Sequence, residues 1–476
     1  MNRALLQSIS SVALLLSVAG CQSIEPHATA PLPATQALGA ELGEKTAAPG
    51  VVSAVLRHGV VTEVYSWGGA DCADGGVADV SAAYEIGSIS KHVTAVALLR
   101  LWEHGNVNLD APVGDYLAGI PKTWRRVTLR QLATHTSGVP DYEKAGGYGV
   151  YETEPTRAQV YAIVADRPLD FEPGTRWSYS NTGYFLLSLV VERVSGERFG
   201  DYLRTQLFQP LGMHHTFMGG YAPADVRLAH GCKPGGDEGM ARVAVRPIHE
   251  SSTYGAGGIS TTLQDWALWD DALFEGRLLS LRAMEVMLTP QRLSDGSSTD
   301  YGFGVFPDEF RGVHRIRHDG QTQGFSADYQ HFSAGGVSVV TFANMYGADI
   351  SGVSRALVFR ALPQLSYDQI VVPLDPNPAR TQAARRALRQ ALLNEQPADL
   401  LSDGMRGFAT DAQYAEARAQ LRTYGEHADE FVYLLSDPPD GESERHIYKV
   451  TLAGETTYIA FVWRQGKVVG MQRMDE

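Results

Sequence analysis

Tyr84-Glu85-Ile86-Gly87-Ser88-Ile89-Ser90-Lys91-His92-Val93-Thr94-Ala95 runs from strand-like sequence into an apolar helix expected over 88–104. Ser88 and Lys91 are three apart, so on a helix they share a face. Ser88 falls on the first turn, where unpaired backbone N–H groups and the helix dipole favour developing negative charge. A lysine held beside it in a desolvated cleft can lose its own proton and take one from the hydroxyl. This is the only Ser-x-x-Lys in the chain. On its own the spacing also suits a helix N-cap followed by a solvated lysine.

Two further stretches follow in order. Trp177-Ser178-Tyr179-Ser180-Asn181-Thr182-Gly183-Tyr184 holds the only Tyr-x-Asn. It lies between a turn, Phe171–Gly174, and an apolar helix expected over 184–194. A phenol beside a lysine is expected to have its pKa lowered by the cation, so Tyr179 is a candidate base or acid. His318-Asp319-Gly320-Gln321-Thr322-Gln323-Gly324-Phe325 lies in alternating, strand-like sequence. Gly320 is expected to let a substrate backbone approach closely. The Gln321 N–H is the candidate second donor of an oxyanion hole whose first donor is the Ser88 N–H.

Together these motifs resemble those of the serine β-lactamase and penicillin-recognising enzyme superfamily. The branch they resemble is the class C β-lactamase-related one, with its DD-carboxypeptidases, D-aminopeptidases and esterases. The phrases Leu132–Tyr142, Pro210–Met213, Gly255–Ile259 and Tyr301–Gly304 are similar to that branch too, and the resemblance spans roughly 45–365. It implies an α/β (α+β) fold: an antiparallel sheet flanked by helices, two N-terminal strands joining C-terminal ones, and a helical subdomain carrying Tyr179. It also implies an acyl-enzyme on Ser88, with Lys91 and Tyr179 relaying the proton. Asn181 would bind the substrate amide or orient Lys91, and His318 would stand beside Tyr179. Where the family has Thr or a small residue this chain has Asp319, whose charge repels a carboxylate and favours a neutral ester or a free amine. His318 in place of a lysine predicts activity changing near pH 6–7. The expected function is therefore an esterase- or D-amino-acid-peptidase-like serine hydrolase. DD-carboxypeptidase or β-lactamase activity is the alternative, and a non-catalytic envelope-binding lipoprotein the third reading.

The remainder of the chain sets the frame. A charge of −14 with no basic cluster argues against a nucleic-acid partner. No zinc-type Cys/His spacing, His-Glu-x-x-His or phosphate-binding glycine loop appears, so no metal or cofactor is expected. Residues 1–20 read as an export signal. Val18-Ala19-Gly20-Cys21 resembles a bacterial lipobox, which implies a lipidated Cys21 and, with Gln22 following, a cell-envelope and outer-membrane destination. A Pro/Ala-rich tether fills 21–40. The hydrolase domain is expected over 41–365, opening with a hairpin of strands 51–57 and 60–67. An oxidising periplasm permits a disulfide between Cys72 and Cys232. The glycine- and tyrosine-rich segment 142–155 reads as an exposed loop able to line the cleft. Strands are expected at 303–306, 313–318 with a continuation over 327–332, and 337–342. Beyond a proline-punctuated linker, 379–476 reads as an α+β accessory domain weakly resembling the NTF2-like class. Its helices are expected at 380–393, 398–408 and 412–424, with four strands after them.

Overall fold

The computed structural model describes residues 48–69, 71–72, 78–151, 153–219, 222–235, 242–410, 430–440, 443–452 and 455–474, with positions 43, 46, 415, 419 and 428. The expected signal, Cys21 and the tether lie outside them, as does nearly all of the helix expected over 412–424.

Six strands form the main sheet: β1 (Gly50–Arg57), β2 (Val60–Gly68), β3 (Phe306–Phe310), β4 (Val313–Gln321), β5 (Ser326–Phe332) and β6 (Val337–Ala343). Their spatial order is β2-β1-β6-β5-β4-β3, so the N-terminal hairpin completes a sheet begun by the C-terminal strands. Its turn is His58-Gly59, both at positive φ, the geometry that matches the twist of the flanking strands. β1 and β6 are central and buried on both faces, which explains their nearly unbroken apolar sequence.

Two expectations about strands need correction. Residues 327–332 do not continue the strand that starts at Val313. The chain reverses after Gln321, and β5 pairs antiparallel with β4, Ser326 opposite Gln321. Residues 303–305 are buried turn, and the edge strand begins at Phe306.

Alternating side chains send β1 into two cores. Val52, Ala54 and Leu56 join the larger one, with the helix α1 (Ser90–Glu103) and the helical subdomain. That subdomain includes α2 (Leu129–Ala133), α3 (Tyr142–Gly146) and α4 (Asn181–Ser195). Val55 faces the second core with Val337 and Val339. α5 (Ser351–Ala361) covers that side.

The C-terminal sheet is a meander of β7 (Glu430–Asp440), β8 (Ser443–Leu452), β9 (Glu455–Arg464) and β10 (Lys467–Met474). On β9 the alternation is clean. Ile459, Phe461 and Trp463 pack on the helices α6 (Pro378–Leu393) and α7 (Asp403–Thr410), whereas Tyr458 and Ala460 enter the second core of the main sheet. Tyr458 stacks on Tyr367 with ring centroids 4.9 Å apart and donates to Asp368. The C-terminal strands and the main sheet thus share one core. Tyr458→Ala is expected to cost about 3 kcal/mol, as for other buried aromatic truncations. Urea unfolding followed by tryptophan fluorescence should show the loss in a single transition. A separate early transition that leaves the main one unmoved would mean the two parts unfold independently.

Candidate active site

Gly87 makes the turn that presents Ser88. Its φ is +49°, open to glycine at little cost. Ser88 sits in a 3₁₀ turn, Gly87–Ile89, and α1 starts only at Ser90. β4 passes directly behind. A methyl group on Gly320 would lie 2.0 Å from the Ile86 carbonyl oxygen and 3.1 Å from the Ser88 nitrogen. One on Gly87 would lie 2.6 Å from the Gln321 nitrogen. The close approach at Gly320 is therefore made by the chain at Ile86–Ser88 and not by a substrate backbone, which corrects the sequence expectation. It also brings the Ser88 and Gln321 amides to one corner, the placement an oxyanion hole needs.

Lys91, one turn along, is fully buried. Its Nζ donates to Ser88 Oγ at 2.9 Å and to the Ala256 carbonyl at 2.7 Å. That carbonyl belongs to a loop fastened to α1 on either side. Thr94 Oγ1 donates to Gly255 O, and the Ile259 N–H donates to Ser90 Oγ. Burial lowers the Lys91 pKa to about 7, against the opposing pull of Asp141, Glu143 and Asp319. A large part of the population near neutral pH therefore holds a neutral amine, and the Ser88 contact run in reverse can take up the hydroxyl proton.

Tyr179 hydrogen-bonds Ser88, and Lys91 Nζ lies 4.7 Å from its ring centroid. Its pKa differs from expectation. Burial pushes the phenol well above its usual value, with Asp319, Tyr184 and Asp141 adding to the rise and the Ser88 bond opposing it. A lysine that is itself partly deprotonated offers little help to a phenolate, so Tyr179 is held as a neutral O–H.

His318 is buried, and burial pulls its pKa down to about 4. Nδ1 meets the Asp319 carbonyl at 2.6 Å. A carbonyl only accepts, so the proton is on Nδ1, and Nε2 accepts from Tyr301 O–H at 3.0 Å. The imidazole is neutral across the physiological range. This removes His318 as the source of the expected change near pH 6–7 and leaves Lys91 as the group that titrates there.

Asn181 does not orient Lys91. Its Nδ2 donates to Glu143 Oε2 at 2.9 Å, and its backbone N–H to Asp141. With Nδ2 turned to a carboxylate, Oδ1 is the end of the amide left to accept. Asp141 caps α3 through the Glu143 and Lys144 N–H groups. Segment 142–155, expected as a loop, is α3 followed by a 3₁₀ turn over 148–151. It supplies Glu143, Lys144 and Tyr151 to a cleft of about 380 Å³. Ser88, Tyr179, Asn181, His318, Asp319 and Gln321 line the same cleft, with Trp177 and Phe306 as an apolar wall. Asp141 and Glu143 escape sequence reading because they carry no catalytic motif. An N-cap aspartate before an apolar residue was the available signal. Cys72 and Cys232 are bonded to each other, and among the described residues no group of His, Cys, Asp and Glu is arranged to hold a metal.

Residues 35–356 match the family model described as Beta-lactamase, and the chain belongs to that family. It is a serine hydrolase. A Bacillus subtilis (strain 168) penicillin-binding protein is 29% identical over 307 residues, covering 61% of this chain and 67% of that one. A D-aminopeptidase of Gluconobacter oxydans (strain 621H) is 27% identical over 324 residues, covering 67% and 60%. The crystal structure of a D-stereospecific amidohydrolase from Streptomyces sp. superposes with a TM-score of 0.57 at 27% identity, covering 67% of this chain and 96% of that one.

The neutral-amine geometry sets the pH dependence. Hydrolysis of p-nitrophenyl acetate should be lost as pH falls through about 7, when Lys91 takes up its proton. His318→Gln should keep that limb in place. A limb that moves or vanishes in His318→Gln would return the titration to the histidine.

Proposed function

We propose that this chain hydrolyses amides and esters whose acyl group carries a free amine, as in D-amino-acid amides and peptides with an N-terminal D-residue. The observation that carries the proposal is the acidic rim of the cleft. Asp319 is exposed there, Glu143 and the buried Asp141 line the same cleft, and the Asn181 amide has its oxygen left to accept. These are acceptors, and they suit an ammonium rather than a carboxylate. The names of two relatives, D-aminopeptidase and D-stereospecific amidohydrolase, support the same substrate class. Lys144 is the one cation lining the cleft among the described residues. It favours a second reading, a carboxylate-ended stem peptide of the kind a penicillin-binding protein takes.

In this reading Ser88 Oγ attacks the carbonyl carbon while its proton passes to Lys91 Nζ. The oxyanion rests on the Ser88 and Gln321 N–H groups. Tyr179 hands a proton to the leaving nitrogen and is reprotonated from Lys91, and the C–N bond breaks to leave an ester on Ser88. Water adds to that ester, giving its proton back through Tyr179 and Lys91 to Ser88 Oγ. The products are the carboxylic acid and the amine.

We also read Cys21 as lipid-modified and the protein as anchored in the cell envelope, probed by labelling Cys21→Ala cells with a palmitate analogue. The lipobox-like Val18–Cys21 and a disulfide suited to an oxidising compartment support this.

Ser88→Ala should abolish hydrolysis of D-alanine p-nitroanilide. Asp319→Asn should raise KM for that substrate about tenfold, since a hydrogen bond to a charged group is worth about 1.5–3 kcal/mol. It should leave the N-acetylated substrate unaffected. Faster turnover of the N-acetylated compound by the unaltered protein would sink the free-amine assignment.

A further inference from the structure

His135 follows α2 and is fully buried at φ +58°. That backbone conformation is uncommon outside glycine and is best tolerated by Asn, Asp and His. Its contacts bracket the Tyr-x-Asn segment residue by residue. The Ser178 N–H donates to the His135 carbonyl at 2.9 Å. The Ser180 N–H donates to His135 Nδ1 at 3.1 Å. Between these two bonds the imidazole lies against the Tyr179 ring, centroids 4.3 Å apart. The ring also meets Tyr301, at 4.6 Å, whose hydroxyl in turn holds His318.

A backbone N–H can only donate, so Nδ1 is unprotonated and the imidazole carries its proton on Nε2. Nε2 has no hydrogen-bond partner among the described residues. A leucine or phenylalanine would fill the space but could not accept from Ser180, and would be strained at positive φ. An acceptor, a flat ring and tolerance of that backbone are needed together, and histidine supplies all three.

We propose that His135 is a positioning residue for the reaction, holding the Tyr179 phenol against Ser88 from behind the cleft. The proposal rests on the reading of Tyr179 as proton relay. His135 does not itself line the cleft, and its effect on the reaction is assigned to its hold on Tyr179. Misplacement of a catalytic group by about 1 Å can cost on the order of a hundredfold, so loss of this bracket should appear in kcat.

The test is steady-state hydrolysis of p-nitrophenyl acetate by the full chain, with rates normalised to folded protein from thermal melts. His135→Gly keeps the backbone conformation and removes ring and acceptor; kcat should fall about thirtyfold or more, with KM within about twofold. His135→Asn tolerates the same φ and retains an acceptor for Ser180; it should recover most of the loss, to within about three- to tenfold of the parent. In a Tyr179→Phe background neither change should reduce kcat further, because residues acting as a unit are not additive. Unaltered kcat in His135→Asn would overturn the role of the ring, including where the glycine variant does not fold. So would a loss that persists in full in the Tyr179→Phe background. A Tyr179→Phe protein with parental kcat would instead overturn the relay reading, which keeps the two failures distinct.

Discussion

A lysine side chain with no access to water is the constraint on which this site depends. Lys91 Nζ has two near acceptors, a serine oxygen and a backbone carbonyl, and neither carries a charge. Burying a full ammonium in such surroundings is expensive, and the cost is relieved when the proton leaves. The fold goes to some length to impose that burial. α1 is enclosed on nearly every side, the 253–259 loop is fastened across it at three points, and the Tyr179 and Tyr184 rings close over the amine. A hydrophobic residue at position 91 would fit the same space without the penalty, so the site keeps a buried amine at the expense of stability.

The same burial orders the other titrations. Tyr179 is itself buried, with Asp319 adding to the rise, and stays protonated. His318 is neutral for the same reason, enclosed in a low-dielectric pocket with Tyr301 on one nitrogen and a carbonyl on the other. Asp141, Glu143 and Asp319 are what pulls the Lys91 proton back. An ammonium group seated among those carboxylates would offset them and lower the lysine pKa further. In the proposed reaction a cationic substrate would therefore favour the neutral amine beside Ser88, whereas an anionic one would find charge of its own sign.

Much of this was legible in the residues. The Ser88–Lys91 spacing, the lone Tyr-x-Asn and the His-Asp-Gly stretch meet in one cleft, and the hairpin at His58-Gly59 forms as its turn chemistry dictates. What was not legible depended on contacts between distant segments. The turn between Gln321 and Ser326 is hidden in a nearly continuous strand-like run, so two paired strands read as one. Gly320 carries no mark saying whether a ligand or the chain itself will approach it. The protonation of Tyr179 and His318 follows from burial, which local sequence does not record. Glu143 enters the site only because α3 folds over the start of α4, where Asp141 receives the Asn181 N–H. The positive φ of His135 and its Ser180 bond appear only in three dimensions.

The central claim is that Ser88 faces an amine that is neutral near pH 7. Heteronuclear NMR of lysine labelled with ¹³C at Cε and ¹⁵N at Nζ, with Lys91 assigned by its absence in Lys91→Arg, would measure this directly. The structure predicts a titration centred at about 7. A Lys91 that titrates at about 10.4, as a solvated lysine does, would contradict it and leave Ser88 without its base.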